Sequence, residues 1–189
     1  MTVKCNMGCR IFVGLAALIL FIALVFPIWS YYITAPQYPE GLYLHIYANK
    51  LTGNLDNINT LNHYVGMKRI HPDSFPELKI IPFIIIGLAI LGILVSVIGN
   101  RVLAALWLII FGILGIVGLA DFYKWLYHYG HDLDPNAPLK LGTDYTPPII
   151  GIKKMLNITI YAYPHIGGLA VFLSAFLGFL GILWAYRKK

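Results

Sequence analysis

The chain has 189 residues, of which 59% are hydrophobic and only 12% are charged, and its mean hydropathy is +0.73. This composition excludes an ordinary soluble globular domain and is typical of an integral membrane protein. The formal net charge of +6 arises from short segments that flank apolar stretches. It therefore indicates membrane topology and gives no support for nucleic-acid binding.

Four stretches contain no Asp, Glu, Lys, Arg or His, and they cover residues 11–30, 80–99, 102–120 and 166–186. Each is close to the length of about 20 residues that crosses the hydrocarbon core of a bilayer as a helix. We therefore predict an all-α membrane protein with four transmembrane helices. The remaining residues, mainly a loop over 31–79 and a second loop over 121–165, are too few for a soluble catalytic domain of ordinary size.

The distribution of basic residues predicts the orientation of these helices. With four spans, both tails and the turn between the second and third spans share one side of the membrane. That side carries no acidic residue, and its basic residues are Lys4, Arg10, Arg101, Arg187, Lys188 and Lys189. The positive-inside rule makes this side cytoplasmic. We therefore expect a multi-pass protein of the bacterial inner membrane with cytoplasmic termini, periplasmic loops and a first span that is retained as an anchor.

Two similar strings occur in the chain, one in each half. Residues 65–70 read VGMKRI and residues 150–155 read IGIKKM, and each string lies shortly before an apolar span. This pattern predicts two helix–loop–helix hairpins, over residues 1–100 and 101–189, that are related as a parallel repeat. A chance match between such simple strings is the alternative.

The first long loop shows two regular patterns. Residues 41–47 alternate in polarity, which predicts a short strand with Tyr43, His45 and Tyr47 on one face. Apolar residues then recur at helical spacing, at Leu55, Ile58, Leu61 and Val65. They predict an amphipathic helix that Asn54 caps and Gly66 ends. We expect the two loops to pack together as a cap on the bundle.

Small residues recur along the third and fourth spans, at Gly112, Gly115, Gly118, Gly167, Gly168, Ser174, Gly178 and Gly181. Such residues allow membrane helices to approach one another closely. We therefore expect both spans to contribute to a packing seam.

Both cysteines, Cys5 and Cys9, lie in the tail that is predicted to be cytoplasmic. Thiols in that compartment stay reduced, so we expect two free thiols. The long loops contain no cysteine, which excludes the disulfide-stapled outer loops of tetraspanin-type proteins. Packing or a bound ligand must therefore order them.

All six histidines fall in the outer loops. His63 and Met67 are four residues apart and share a face if the predicted helix includes both. Together with His71 from the same loop, and with His128 and His131 from the second loop, they are the candidate metal ligands. Imidazole and thioether donors favour copper over magnesium or calcium. The alternative is that these histidines only form hydrogen bonds with tyrosine, asparagine and backbone groups at the headgroup level.

Several functions lack the residues that they require. Charged side chains are absent from the interior of the spans, which disfavours proton or ion relays. The sequence has no nucleotide-binding motif, no nucleophile–base arrangement and no HExxH motif. We therefore predict a protein that is not an enzyme. A lipid- or quinone-modifying enzyme that uses interfacial histidines is the less favoured alternative.

Three strings carry a family resemblance: residues 61–68 (LNHYVGMK), 132–135 (DLDP) and 147–151 (PPIIG). In these strings, the chain resembles a family of small bacterial four-span proteins. That family is associated with gene clusters for clade II nitrous oxide reductase, a periplasmic copper enzyme. The resemblance covers both outer loops. It implies an accessory role in maturing, anchoring or supplying copper to that enzyme, and it implies no catalytic residues.

Two hypotheses follow from the sequence. The first is a membrane accessory protein that contacts lipid and binds copper or a periplasmic metalloprotein partner. The second is an interaction scaffold that docks a partner subunit without binding a metal.

Overall fold

A computed structural model describes residues 4–139 and 145–186. The helices are α1 (Met7–Ile19), α2 (Ile22–Val25), α3 (Leu55–Val65), α4 (Ile81–Ile98), α5 (Arg101–His131) and α6 (Ile166–Tyr186). The strands are β1 (Trp29–Ala35), β2 (Tyr38–Ile46), β3 (Leu51–Gly53), β4 (Gly151–Met155) and β5 (Ile158–Pro164). Two 3₁₀ turns, Pro72–Ser74 and Pro76–Lys79, lead into α4.

Four helical segments are long and apolar enough to cross a membrane, which confirms the predicted number of spans. They are Met7–Val25, Ile81–Ile98, Arg101–His131 and Ile166–Tyr186. The first span ends earlier than predicted because Pro27 follows it and β1 begins at Trp29. The third span continues well beyond residue 120, and its Phe122 and Leu126 pack beneath the sheet.

Close packing holds α1 between α4 and α6. Trp107 of α5 is fully buried, and its indole N–H donates to the carbonyl oxygen of Leu88 at 2.9 Å. Ser174 of α6 is also fully buried, and its hydroxyl donates to the carbonyl oxygen of Ala16 at 2.7 Å. Both polar groups are therefore satisfied within the apolar bundle, as burial requires.

The predicted packing seam is confirmed in α6 and is wrong for α5. The small residues of α6 are buried, and a Cβ added at Gly178 would lie 3.0 Å from both Trp107 and Leu108. In contrast, Gly112, Gly115 and Gly118 of α5 have no neighbour within 4 Å of an added Cβ. The spacing alone did not reveal which glycines face another helix.

The prediction of an all-α fold is wrong, because the loops form a five-stranded antiparallel sheet with the strand order β3-β2-β1-β5-β4. The protein is therefore a mixed structure of helices and strands. Burial alternates along β1 with a period of two, as expected for a strand with one covered face. Its tyrosines, and those of β5, lie on strands that directly adjoin membrane helices.

Strands from both long loops share this sheet. The pairing of β1 with β5 joins the first loop to the second, with Tyr32 opposite Tyr161 and Ser30 opposite Tyr163. The two similar strings fold differently, since Gly66 follows α3 with φ 81° and Gly151 begins β4. They give no structural support to a repeat, and the division into two hairpins stays a prediction.

The expected elements of the first loop are confirmed with one change. The alternating segment lies within β2, and the amphipathic segment forms α3, which ends at Gly66 in the left-handed conformation. Asn54 does not cap α3 with its side chain. Its Oδ1 instead accepts from the backbone N–H of Tyr43 at 2.9 Å. This bond ties the start of α3 to the sheet, and we refer to the sheet, α3 and the packed end of α5 as the sheet domain.

The expectation of two free thiols is wrong in this structure. Cys5 and Cys9 form a disulfide across the first turn of α1, with their Cα atoms 5.7 Å apart. The side chain of Asn6 accepts from the N–H of Cys9 at 2.9 Å. This cap begins the helix between the two cysteines and places them one turn apart, at a separation typical of disulfides.

Candidate functional site

His63 and Met67 do not share a helical face, contrary to the prediction. The helix ends at Val65, so Met67 lies beyond the turn at Gly66 and follows a different path. His63 is exposed, whereas Met67 is buried in the core beneath the sheet. Met67 there lines an apolar cavity of about 30 Å³. This volume is too small for a cofactor and holds at most about one water molecule.

The other predicted ligands, His71, His128 and His131, lie outside the core beneath the sheet. His71 is exposed just before the first 3₁₀ turn. At the end of α5, Nδ1 of His128 lies 2.7 Å from the carbonyl oxygen of Lys124, and Nδ1 of His131 lies 2.9 Å from that of Tyr127. The ring of His131 also stacks on Tyr127. These contacts agree with the alternative of histidines that bond to the backbone.

The acidic residues near His131 have partners of their own. Asp132 pairs with Lys68, and both side chains are exposed. The hydrogen bond from the Lys68 ammonium lowers the pKa of the Asp132 carboxyl. Asp134 accepts from the backbone N–H of Asn136 at 2.9 Å, as in an Asx turn.

The five predicted ligands therefore do not assemble into a recognisable centre. Within residues 4–139 and 145–186, no three His, Cys, Asp or Glu side chains form a group that could hold a metal ion. Copper binding by His63, Met67, His71, His128 and His131 stays a prediction.

The structure brings a different set of residues together on one face of the sheet. We call it the open face and define it by Ser30, Tyr32, Tyr43, His45, Tyr161 and Tyr163, which alternate with buried residues along β1, β2 and β5. Tyr32 lies at its centre, with ring centroids 4.8 Å from Tyr43 and 5.7 Å from Tyr161. Tyr43 and Tyr163 are 48% and 46% exposed. An aromatic surface thus crosses the three central strands.

Two histidines lie at the end of the open face that adjoins the membrane helices. His45 on β2 stacks on Tyr43, with the ring centroids 6.1 Å apart, and its Nδ1 lies 2.7 Å from the Ser30 hydroxyl oxygen. The ring of His165, which immediately precedes α6, packs edge-on against His45 with a centroid separation of 5.6 Å. The strand register and the start of α6 together create this pair.

The glycines that begin α6 fix the position of His165. The N–H of Gly167 donates to the Pro27 carbonyl oxygen at 2.8 Å, and the N–H of His165 donates to that of Ile28 at 3.0 Å. A Cβ at Gly168 would lie only 2.2 Å from the Ile28 carbonyl oxygen. The helix can therefore approach the end of the first span only without a side chain here, and this approach places His165 beside His45.

The environment of His45 favours its neutral imidazole. Burial lowers the pKa of His45, and the neighbouring His165 lowers it further. Nδ1 of His165 is buried and has no hydrogen-bond partner among the described residues. Sequence analysis located His45 on the correct strand face but missed the pair, because the residues are far apart in the chain.

Comparison of the chain with protein-family models and with curated proteins finds no match.

Proposed function

We propose that this protein is a non-enzymatic accessory protein of the bacterial inner membrane that docks a periplasmic partner protein on the open face of its sheet domain. One observation carries this proposal: both long loops fold into a single sheet whose two faces differ in chemistry. One face is buried in a hydrophobic core, and the other carries partly exposed aromatic rings.

The residue types of the open face suit protein recognition. Tyrosine is enriched in protein interfaces because its ring contributes apolar area and its hydroxyl can form hydrogen bonds. The residues paired across the three central strands at Tyr32 and at Ser30 are tyrosine, serine and histidine. Charged side chains such as Lys154 and Glu40 lie on outer strands or at strand ends. An aromatic centre with charges at its margin is the usual anatomy of such an interface.

The distance that the open face extends from the membrane helices favours a protein over a lipid headgroup as its occupant. The strand β1 leaves the first span at Trp29 and runs to Ala35, and β5 returns from Ile158 to Pro164 directly before α6. Seven residues of strand extend about 23 Å at roughly 3.3 Å per residue. A headgroup layer is only about 5–7 Å deep on each side of the hydrocarbon. Most of a strand of this length can therefore extend beyond the lipid.

The side of the membrane follows from the basic residues. Lys4, Arg10 and Arg101 lie at the opposite ends of the helices from the sheet domain, and the positive-inside rule supports a cytoplasmic location for those ends even though Cys5 and Cys9 are paired there. The partner is then a periplasmic protein or the periplasmic part of a membrane protein. The sequence resemblance implies a metalloenzyme such as nitrous oxide reductase.

Site-specific photo-crosslinking in cells tests this proposal. A photoreactive phenylalanine analogue replaces Tyr43 or Tyr163, and the matched control replaces Tyr123 of α5, which is 51% exposed but lies outside the open face. We expect one discrete protein, identified by mass spectrometry, to crosslink from both open-face positions and not from the control.

The identified protein is then purified and its binding to the full chain in detergent is measured. We expect Tyr43→Ala with Tyr163→Ala to weaken binding at least tenfold and Tyr123→Ala to leave it unchanged. The proposal is overturned if the open-face positions crosslink only to lipid, crosslink no discrete protein, or crosslink the same proteins as position 123.

A further inference from the structure

We propose that His45 and His165 are the two protein ligands of a first-row transition cation, Cu²⁺ or Zn²⁺, at the membrane end of the open face. This site is separate from the five ligands predicted by the sequence. It does not depend on the docking function, since the pair can be tested on the isolated protein.

The separation of the two rings suits a shared ion. A metal–nitrogen bond of about 2.0–2.1 Å places the centroid of an imidazole roughly 3.2 Å from the metal. Two imidazoles on one ion at trigonal or tetrahedral angles therefore have centroids about 5.2–5.5 Å apart. The observed centroid separation of 5.6 Å between His45 and His165 is close to this value.

Each ring of the pair has one nitrogen that can be assigned to the ion. Nδ1 of His45 is engaged by the Ser30 hydroxyl at 2.7 Å, so its Nε2 is the nitrogen that can bind a metal. This arrangement is the usual one for a metal-binding histidine, whose second nitrogen is held by a neighbouring polar group. On His165, the available nitrogen is Nδ1, which is buried without a hydrogen-bond partner among the described residues.

An unsatisfied buried nitrogen has a cost that a bound cation would remove. A buried polar atom without a partner destabilises a fold, and native proteins contain few of them. Here the atom lies on a ring beside a second imidazole, in a position held by the tight contact of Gly167 and Gly168 with the end of the first span. The pair is thus positioned before an ion binds.

The donor set determines which class of cation would bind. Neutral imidazole nitrogens favour copper, zinc and nickel over magnesium or calcium, which prefer oxygen ligands. With two protein ligands, further coordination positions remain for water or for a group on another molecule.

Titration of the full chain in detergent with Cu²⁺, followed by electron paramagnetic resonance, tests the inference. We expect one Cu²⁺ per chain with hyperfine structure from imidazole nitrogen. His45→Gln and His165→Gln should each weaken binding at least tenfold, and Ser30→Ala about tenfold, as for other groups that orient a metal-binding histidine. The double variant His63→Gln with His71→Gln distinguishes this site from the one predicted by the sequence, because it removes two exposed ligands of that other set and should leave Cu²⁺ binding by His45 and His165 unchanged.

Thermal unfolding of each variant in the same detergent separates loss of the site from loss of the fold. If His165→Gln does not fold, His45→Gln alone tests the site, because His45 is a partly exposed strand residue whose substitution should preserve the fold. Unchanged Cu²⁺ affinity in a folded His45→Gln variant overturns the inference. So does loss of binding in the His63 and His71 control, or the absence of binding to the wild type at micromolar Cu²⁺. A negative result leaves the docking proposal intact, because crosslinking from Tyr43 and Tyr163 is measured independently.

Discussion

On β2, Leu42 and Leu44 are buried in the core beneath the sheet, whereas Tyr43 and His45, their neighbours in the chain, lie on the open face. The same contrast holds on β1, where Tyr31 is buried and Tyr32 lies on the open face. The hydroxyl of Tyr31 donates to the Pro148 carbonyl oxygen at 2.9 Å. Burial raises the pKa of Tyr31, which keeps the phenol neutral. Adjacent residues of one strand thus have different roles, and substitutions on the two faces should have different consequences.

The largest effect is expected on the covered face. Leu42 is only 1% exposed, so Leu42→Ala leaves a cavity and should destabilise the protein by about 2–5 kcal/mol. Tyr43→Ala, the matched change one residue further along, removes a partly exposed ring that contacts Tyr32 and His45. It should cost no more than about 1.5 kcal/mol. Unfolding of both variants in detergent measures the difference, and equal destabilisation would show that the open face is also part of the core.

A smaller effect is expected where α6 approaches the first span. In Gly168→Ala, the new Cβ would meet the Ile28 carbonyl oxygen at 2.2 Å. The backbone must then move, which should cost about 1–3 kcal/mol and should displace His165 from His45. Gly115→Ala in α5 is the control, because nothing lies within 4 Å of its added Cβ. Alanine should leave the stability unchanged or raise it by about 0.5–1 kcal/mol, since glycine is unfavourable within a helix. Equal melting temperatures for the two variants would contradict the observed packing.

The smallest effect is expected from pH at the open face. Burial and the neighbouring His165 lower the pKa of His45 in the folded protein, while an unfolded histidine titrates at about 6.5. The unfolded chain therefore binds more protons as the pH falls below about 6.5, and the free energy of unfolding should decrease towards the lower pKa of the folded state. Well above pH 6.5, the contribution of His45 to the free energy of unfolding should not change with pH.

Unfolding measured between neutral and mildly acidic pH checks this effect. His45→Gln should reduce the pH dependence, and His63→Gln, which changes an exposed histidine on α3, should retain it. A wild-type slope in His45→Gln would show that other groups are responsible for the pH dependence.

Local patterns in the sequence predicted several elements correctly. The apolar stretches identified four membrane helices, and the spacing of Leu55, Ile58, Leu61 and Val65 identified α3. The alternation around Tyr43 and His45 identified a part of β2. Each of these signals lies within one helix or strand, where hydrophobic periodicity reports directly on burial.

The sheet and the histidine pair depend on contacts between distant parts of the chain. The strands β1 and β5 adjoin membrane helices, so their tyrosines were compatible both with an interfacial belt and with a sheet. Only the register of β1 against β2 and β5 decides which tyrosines meet. A shift of one residue would place the same side chains on the opposite face.

Composition and local periodicity thus determined, by themselves, that the chain has four helices long and apolar enough to cross a membrane, and where these helices lie, because burial in lipid requires long apolar segments. Tertiary structure decided which face of each strand is covered, which glycines contact another helix, and that His45 meets His165. These features depend on the register between strands from the two loops and on how closely α6 approaches Ile28. Both are contacts between distant parts of the chain, so the pattern of any single segment does not encode them.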